Sequence, residues 1–232
     1  MLTVHPGSGG EASGSFGVTG YWHNWRNSVR KVVFAAEDGS RVVLPQNCTG
    51  LVVPSVKTMS AMFRSCDSLE SVNLSGIIAP KLENMSAMFY DCRSLKEVDF
   101  SMLDTSSVTN MEGLFYGCTL LAAIDLSGFD TSNVTSMSNM FKWCMSLKEL
   151  DISGFDTLKV AEIERMNFMF KGCVSLERVV LGEKTNPLGI LPSNEVRGHA
   201  DWFSERERAW LTAGEIVESR LGISDTYTKD ER

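Results

Sequence analysis

Histidine, proline and cysteine are all scarce in this chain of 232 residues, at 3, 6 and 6 copies. The three histidines (His5, His23 and His199) stand far from any pattern that would pair an imidazole with a nucleophile or a metal. Six cysteines are too few to build a small disulfide scaffold. No Cys-x-x-Cys occurs and no histidine lies near the periodic cysteines, so the tight clustering a zinc site needs is missing. Basic side chains are in deficit, 22 against 29 acidic ones, giving a net charge of -7 and a pI near 5.1. A duplex nucleic-acid binder needs a basic face to displace counterions, so no nucleic-acid partner is expected. No apolar run approaches the roughly 18 residues that a bilayer-crossing helix needs, and no transmembrane segment is expected. Gly-x-Ser-x-Gly, a phosphate loop, a dinucleotide fingerprint and His-Glu-x-x-His are all missing, which points to a non-enzymatic protein with no cofactor. Residues 1–20, with no basic start and no apolar core, read as a flexible Gly/Ser segment and not a signal peptide. What remains, 43% hydrophobic and 22% charged residues, is the balance of a soluble globular protein.

The chain does hold a repeat. Cys66, Cys92, Cys118, Cys144 and Cys173 are spaced 26, 26, 26 and 29 residues apart; only Cys48 is out of phase. Seven residues before each stands Met59, Met85, Met111, Met137 or Met166, and three before each stands Phe63, Phe89, Phe115, Phe141 or Phe170. Three after each stands Leu69, Leu95, Leu121, Leu147 or Leu176. Then come Val72, Val98, Ile124, Leu150 or Val179, and two further on Leu74, Phe100, Leu126, Ile152 or Leu181. Six apolar columns in register over five copies exclude coincidence. A unit this small cannot bury its own apolar face, whereas stacked units bury a shared core.

Two periods coexist in each copy. Leu95-Lys-Glu-Val98-Asp-Phe100 ends in two-residue alternation, which predicts a short strand. Met85, Met88, Phe89 and Cys92 stand at i, i+3, i+4 and i+7, which predicts a short helix with one apolar stripe. The expected fold is therefore α/β: a leucine-rich-repeat solenoid over 57–182, with a parallel sheet of one strand per repeat and helical turns on the opposite side. At roughly 4.8 Å per strand the five coils would span roughly 24 Å. Bare ends would expose core, so caps are expected at 21–56 (Trp22, Trp25, Val32-Val-Phe34, Val42-Val-Leu44) and at 183–232. In the second, Thr212-Ala-Gly-Glu215 reads as the capping box of a helix that stops near Gly222. The three extra residues of the last interval predict a protruding loop within 157–165.

Asp130-Thr-Ser-Asn-Val-Thr-Ser-Met-Ser-Asn-Met-Phe141, followed by Cys144-Met-Ser-Leu-Lys-Glu-Leu-Asp-Ile-Ser153, resembles the repeat of the BspA-like family. These are bacterial surface proteins with leucine-rich repeats, sharing their repeat with certain mycoplasma lipoproteins. The resemblance covers about 57–182 and recurs five times; the first copy carries Ile78-Ala-Pro-Lys81 in place of Asp-Thr-Ser. It implies a secreted or cell-surface, non-enzymatic protein linked to adhesion, whose partner is a protein of the host matrix or of a neighbouring bacterial surface.

The most informative surface feature is the strand face. Residues alternating with the buried ones give the column Asn73, Asp99, Asp125 and Asp151, beside Ser71, Glu97, Ala123 and Glu149. Like charges in register on adjacent strands repel. Two readings follow: a solvated polar face, or a contact surface formed by Glu97, Asp99, Asp125, Glu149 and Asp151. The second admits a basic partner and weak Ca²⁺ binding through oxygen ligands. Asp104, Asp130 and Asp156 read as turn residues accepting their own backbone N–H groups. The cysteine column reads as buried free thiols, the Met/Phe columns as core, and the four Asn-x-Ser/Thr sequons as turn and cap residues. A structural spacer holding another domain off the surface is the competing class.

Overall fold

Parallel pairing between successive copies, 26 positions apart from Leu51 to Ser136, organises the repeat region. In a computed structural model, the described residues are 2–4, 31–34, 51–52, 56–74, 77–101, 103–160, 168–185, 202–211 and 224–229. They form eleven short strands: β1 Leu2–Val4, β2 Lys31–Phe34, β3 Leu51–Val52, β4 Ser71–Asn73, β5 Ile77–Ile78, β6 Glu97–Asp99, β7 Glu149–Ile152, β8 Arg178–Leu181, β9 Trp202–Ser204, β10 Ala209–Leu211 and β11 Asp225–Lys229. A four-stranded sheet runs β1-β2-β4-β6, all parallel, with Val72 opposite Val98 and Asn73 opposite Asp99. A mixed five-stranded sheet runs β10-β9-β11-β8-β7, and β3 with β5 forms a parallel pair.

The expected leucine-rich-repeat solenoid with helical turns is contradicted: the described residues contain no helix. The segments predicted as helices are runs of tight turns instead. Met59, Ala61, Phe63 and Ser65 donate their amides to the carbonyls of Asn84, Ser86, Met88 and Tyr90 in the next coil. Met62, Arg64 and Cys66 donate back only three residues, at 3.2, 3.1 and 3.0 Å. The same alternation recurs over 85–92 and 111–118. An α-helix would spend every amide on the carbonyl four residues back and leave nothing for a neighbouring coil. Two columns per coil hold φ between +53° and +82°: Ala61, Ala87, Gly113, Asn139 and Phe168, then Ser65, Asp91, Gly117, Trp143 and Gly172. A left-handed residue ends a right-handed helix, and two per seven residues forbid one.

Nor is there one strand per repeat. The Cys118 coil has no strand where Leu121-Ala-Ala-Ile124 replaces the Leu-Lys-Glu-Val type of sequence. Alanine is a poor strand former, and Ile124 is only half-buried where Val98 and Leu150 are buried.

The interior rows are built as the columns predict. All five phenylalanines are fully buried, and successive rings stack at centroid distances of 5.4, 5.6, 5.5 and 5.5 Å. Phe100 packs edge-on against Phe89 and Phe115. A buried threonine row adds polar stitching. The Thr105 hydroxyl donates to Asp130 O at 3.1 Å and accepts from Asp130 N at 2.8 Å, and Thr131 repeats this with Asp156. Both functions of the Thr105 and Thr131 hydroxyls are used, so neither is left unpaired by burial.

At the far end β8 is followed outward by antiparallel β11, β9 and β10, with Trp202 and Tyr227 buried beneath. An edge strand left bare would recruit other chains, and this antiparallel layer covers it. The run Val32-Val-Phe34 falls in β2. The Val42–Leu44 run, the predicted helix after Thr212, Met166 and residues 161–165 of the predicted loop lie outside the described residues.

Candidate functional site

On the strand face, Glu97 and Asp99 lie in β6, Glu149 and Asp151 in β7, and Asp125 at the strandless turn between them. Glu97, Asp125, Glu149 and Asp151 are exposed and Asp99 is half-buried. The three aspartates have the same local geometry. Each Oδ1 accepts the amide two residues on: Ser101 N at 3.0 Å, Ser127 N at 2.9 Å and Ser153 N at 2.8 Å. For Asp125 the bonds from the Ser127 backbone and hydroxyl hold the carboxyl below its ordinary range. The acidic stripe is thus stabilised strand by strand, and it is finite. Ser71 and Asn73 precede it, and Arg178, 3.9 Å from Glu149, and Val180 follow it. A similar alternation of sign relieves repulsion next to β6, where Lys96 meets Glu70 at 3.4 Å. No group of three or more His, Cys, Asp and Glu side chains that could hold a metal ion occurs among the described residues. The three aspartates of the stripe turn to their own backbone, and its carboxylates do not converge.

The turn aspartates behave as the sequence predicts. Asp104, Asp130 and Asp156 accept from Ser106 N, Ser132 N and Leu158 N at 2.9, 2.9 and 3.0 Å. The five periodic cysteines are free and buried. Each thiol from Cys92 onward donates to the carbonyl of a phenylalanine in the preceding coil (Phe63, Phe89, Phe115 and Phe141). Burial raises the thiols well above their ordinary value, Cys173 to about 12, so these are structural and unreactive groups. His5, His23 and His199 lie outside the described residues.

A second surface was missed by the sequence reading. Two positions before each cysteine stand Arg64, Tyr90, Tyr116, Lys142 and Lys171. The Arg64 guanidinium lies 4.6 Å from the centre of the Tyr90 ring, and Tyr90 stacks on Tyr116 at 4.2 Å with the rings 2° from parallel. Lys142 Nζ sits 5.5 Å from Tyr116 and 5.3 Å from Phe168, whose ring also carries Lys171 at 4.8 Å. Burial, and then the neighbouring Tyr116 hydroxyl, hold Tyr90 above the ordinary phenol value. A groove of about 550 Å³ runs beside this row, with Ala61, Ala87 and Gly113 among its lining. The repeat period in that column, which places Arg64, Tyr90, Tyr116, Lys142 and Lys171 at one phase, was the available signal.

Residues 41–100 and 83–186 match the family model described as Mycoplasma protein of unknown function, DUF285. The chain belongs to this family. The two matched spans overlap and together cover more than half of the chain, so the DUF285 pattern is itself laid over the repeat region. No curated protein and no solved structure matches the chain. No helix among the described residues is long and apolar enough to cross a membrane.

Proposed function

We propose that this DUF285 chain is a non-enzymatic binding module of a bacterial surface protein, of the BspA-like adhesive kind. Its partner is a protein of the host matrix or of a neighbouring bacterial surface, met through the exposed strand face. The observation that carries this reading is the row Asp99, Asp125 and Asp151. Each carboxylate is fixed by the same backbone hydrogen bond and presented outward at the coil repeat, with Glu97 and Glu149 beside it. A row held in place before binding gives up little side-chain freedom on contact, and its charge complements a basic patch. Copies displayed together on a cell gain further by avidity.

The test uses the triple variant Asp99→Asn, Asp125→Asn, Asp151→Asn. Asparagine keeps the side-chain oxygen that accepts the serine amide but removes the charge, so the turns persist. Attachment of the chain to immobilised matrix proteins and to bacterial cells is expected to fall by about tenfold or more. Unchanged attachment, or none in the parent chain, would favour a spacer that holds another domain away from the surface.

A further inference from the structure

The surface away from the strands carries positive charge that the protein does not neutralise. Among the described residues, Lys57, Lys96, Arg93, Arg178 and Lys184 all stand within ion-pair distance of a carboxylate. Arg64, Lys142 and Lys171 do not; they rest on aromatic rings instead. Among the described residues Lys81, Lys148 and Lys159 also lack a carboxylate within ion-pair distance, but Arg64, Lys142 and Lys171 alone among these are held over rings in one column of the repeat. The groove beside it is lined by Arg64 and Lys142, by Tyr90 and Tyr116, and by the Ser86 hydroxyl and Glu112.

Three features fix what the groove can take. The faces of the tyrosine pair are occupied, by Arg64 on one side, Lys142 on the other and each ring by its neighbour, so no face is left open for a base or an aromatic ligand to stack on. The amides of Ala61, Ala87 and Gly113 already bond Ser86 O, Glu112 O and Ser138 O at 2.9, 2.8 and 2.9 Å, so no main-chain donor remains there for an added peptide strand. What remains is hydroxyl groups, among them the Ser60 and Ser86 pair at 2.9 Å, the Asn139 side chain, one carboxylate and two cations three coils apart, roughly 14 Å at the coil spacing of about 4.8 Å. We propose that this groove binds an acidic oligosaccharide laid along the stack. Its hydroxyls bond Ser86, Tyr90, Tyr116 and Glu112, and its carboxylates meet Arg64 and Lys142. The left-handed column makes room for it: small residues at 61, 87 and 113 keep the groove open, and the same column ends in exposed Phe168.

The experiment is calorimetric titration of the full chain with hexagalacturonate, maltohexaose and hexaglutamate. Hexagalacturonate is expected to bind, to weaken as salt rises, and to lose about tenfold or more in affinity in the Arg64→Gln, Lys142→Gln double variant. Glu112→Gln, which removes the one negative charge, is expected to tighten binding. Maltohexaose is expected to bind at least about tenfold more weakly, because it lacks the charge. Both variants are checked for an unchanged melting temperature. No binding of hexagalacturonate at millimolar concentration, equal affinity in the double variant, maltohexaose binding as tightly as hexagalacturonate, or hexaglutamate binding as tightly, each overturns the proposal; the last marks a peptide site. The strand-face reading stands apart from it, because the aspartate triple variant leaves the groove untouched and the double variant leaves the stripe untouched.

Discussion

The strand face and the turn face are made by the same coils, yet they manage charge in opposite ways. On the strand face, acids and bases meet across neighbouring coils: Lys96 with Glu70, Arg178 with Glu149. These pairs are 42–66% exposed and each is worth well under about 1 kcal/mol. On the turn face the cations lie over rings, and each such contact is worth about 0.5–1 kcal/mol at an exposed site while leaving the charge available. A repeat thus fixes where a side chain points, whereas the residue chosen in each copy decides whether its charge is spent inside the stack or offered outward.

Both faces depend on the interior rows, and the largest expected effect is there. Phe115→Ala removes a ring held between Phe89 and Phe141 and touched by Phe100. A loss of about 3–5 kcal/mol in urea unfolding is expected. An effect below about 1 kcal/mol would mean that the row does not hold the two faces together.

The next effect separates the turn face from the strand face directly. Gly172 has φ +82°, and a Cβ there would lie 2.3 Å from the Trp143 ring. Gly172→Ala is expected to cost about 1–2 kcal/mol from the left-handed backbone alone, and to change Trp143 fluorescence as the ring is displaced. Gly128, where a Cβ would meet nothing, is the control, and Gly128→Ala is expected to be near neutral.

Dependence on pH sharpens the contrast further. The thiols are raised in the folded state, so between the ordinary value near 9.0 and the folded value of about 12 for Cys173 the native chain keeps a proton that the unfolded chain has lost. Their contribution is complete below pH 9 and declines above it. Tyr90, raised from 10.0, acts with the same sign. Asp125 and Asp130 are lowered by their serine bonds, so their contribution is complete above the ordinary value of 3.8 and fades as pH falls below it. Urea midpoints are therefore expected to fall at both extremes, and native thiols are expected to resist labelling at pH 8. Rapid modification of all five would contradict their burial. The smallest effect belongs to the exposed pairs: Lys96→Gln is expected to cost at most about 1 kcal/mol and to lose even that in high salt.

The rows were legible because a core position tolerates little variation: Phe at one phase in five copies, and Cys three residues later, allow no other register. The helices were misread for a physical reason. A helix and a run of tight turns both bring a side chain inward every three or four residues, so Met85, Met88, Phe89 and Cys92 are buried in either case. The distinguishing signal lay between them, in Gly113, Gly117 and Gly172, with Asp91 and Asn139 in the same two columns. These residue types tolerate φ above zero and are poor in helix interiors. The strandless Cys118 coil was foreshadowed by its paired alanines. The antiparallel end layer was not legible, because its partners, β8 and β11, are more than 40 residues apart and carry no shared pattern. Of the candidate sites, the strand face followed from simple alternation; the cation–aromatic row lies two residues before each cysteine, within the segment whose helical period hid the turns that bring its side chains together.

The fold rests on coils whose turns contain left-handed residues and hand their amides to the next coil, and Gly113→Ala tests this by sign. Gly113 has φ +59°, and a Cβ there would meet only ordinary contacts, 3.6 Å from the Tyr90 ring and 3.8 Å from Tyr116. Backbone conformation alone therefore decides the outcome, which is read from the urea midpoint. In a stack of turns the substitution is expected to destabilise by about 1 kcal/mol. In a helical turn the same change would stabilise by about 0.5–1 kcal/mol, and that result would contradict the architecture and both faces drawn from it.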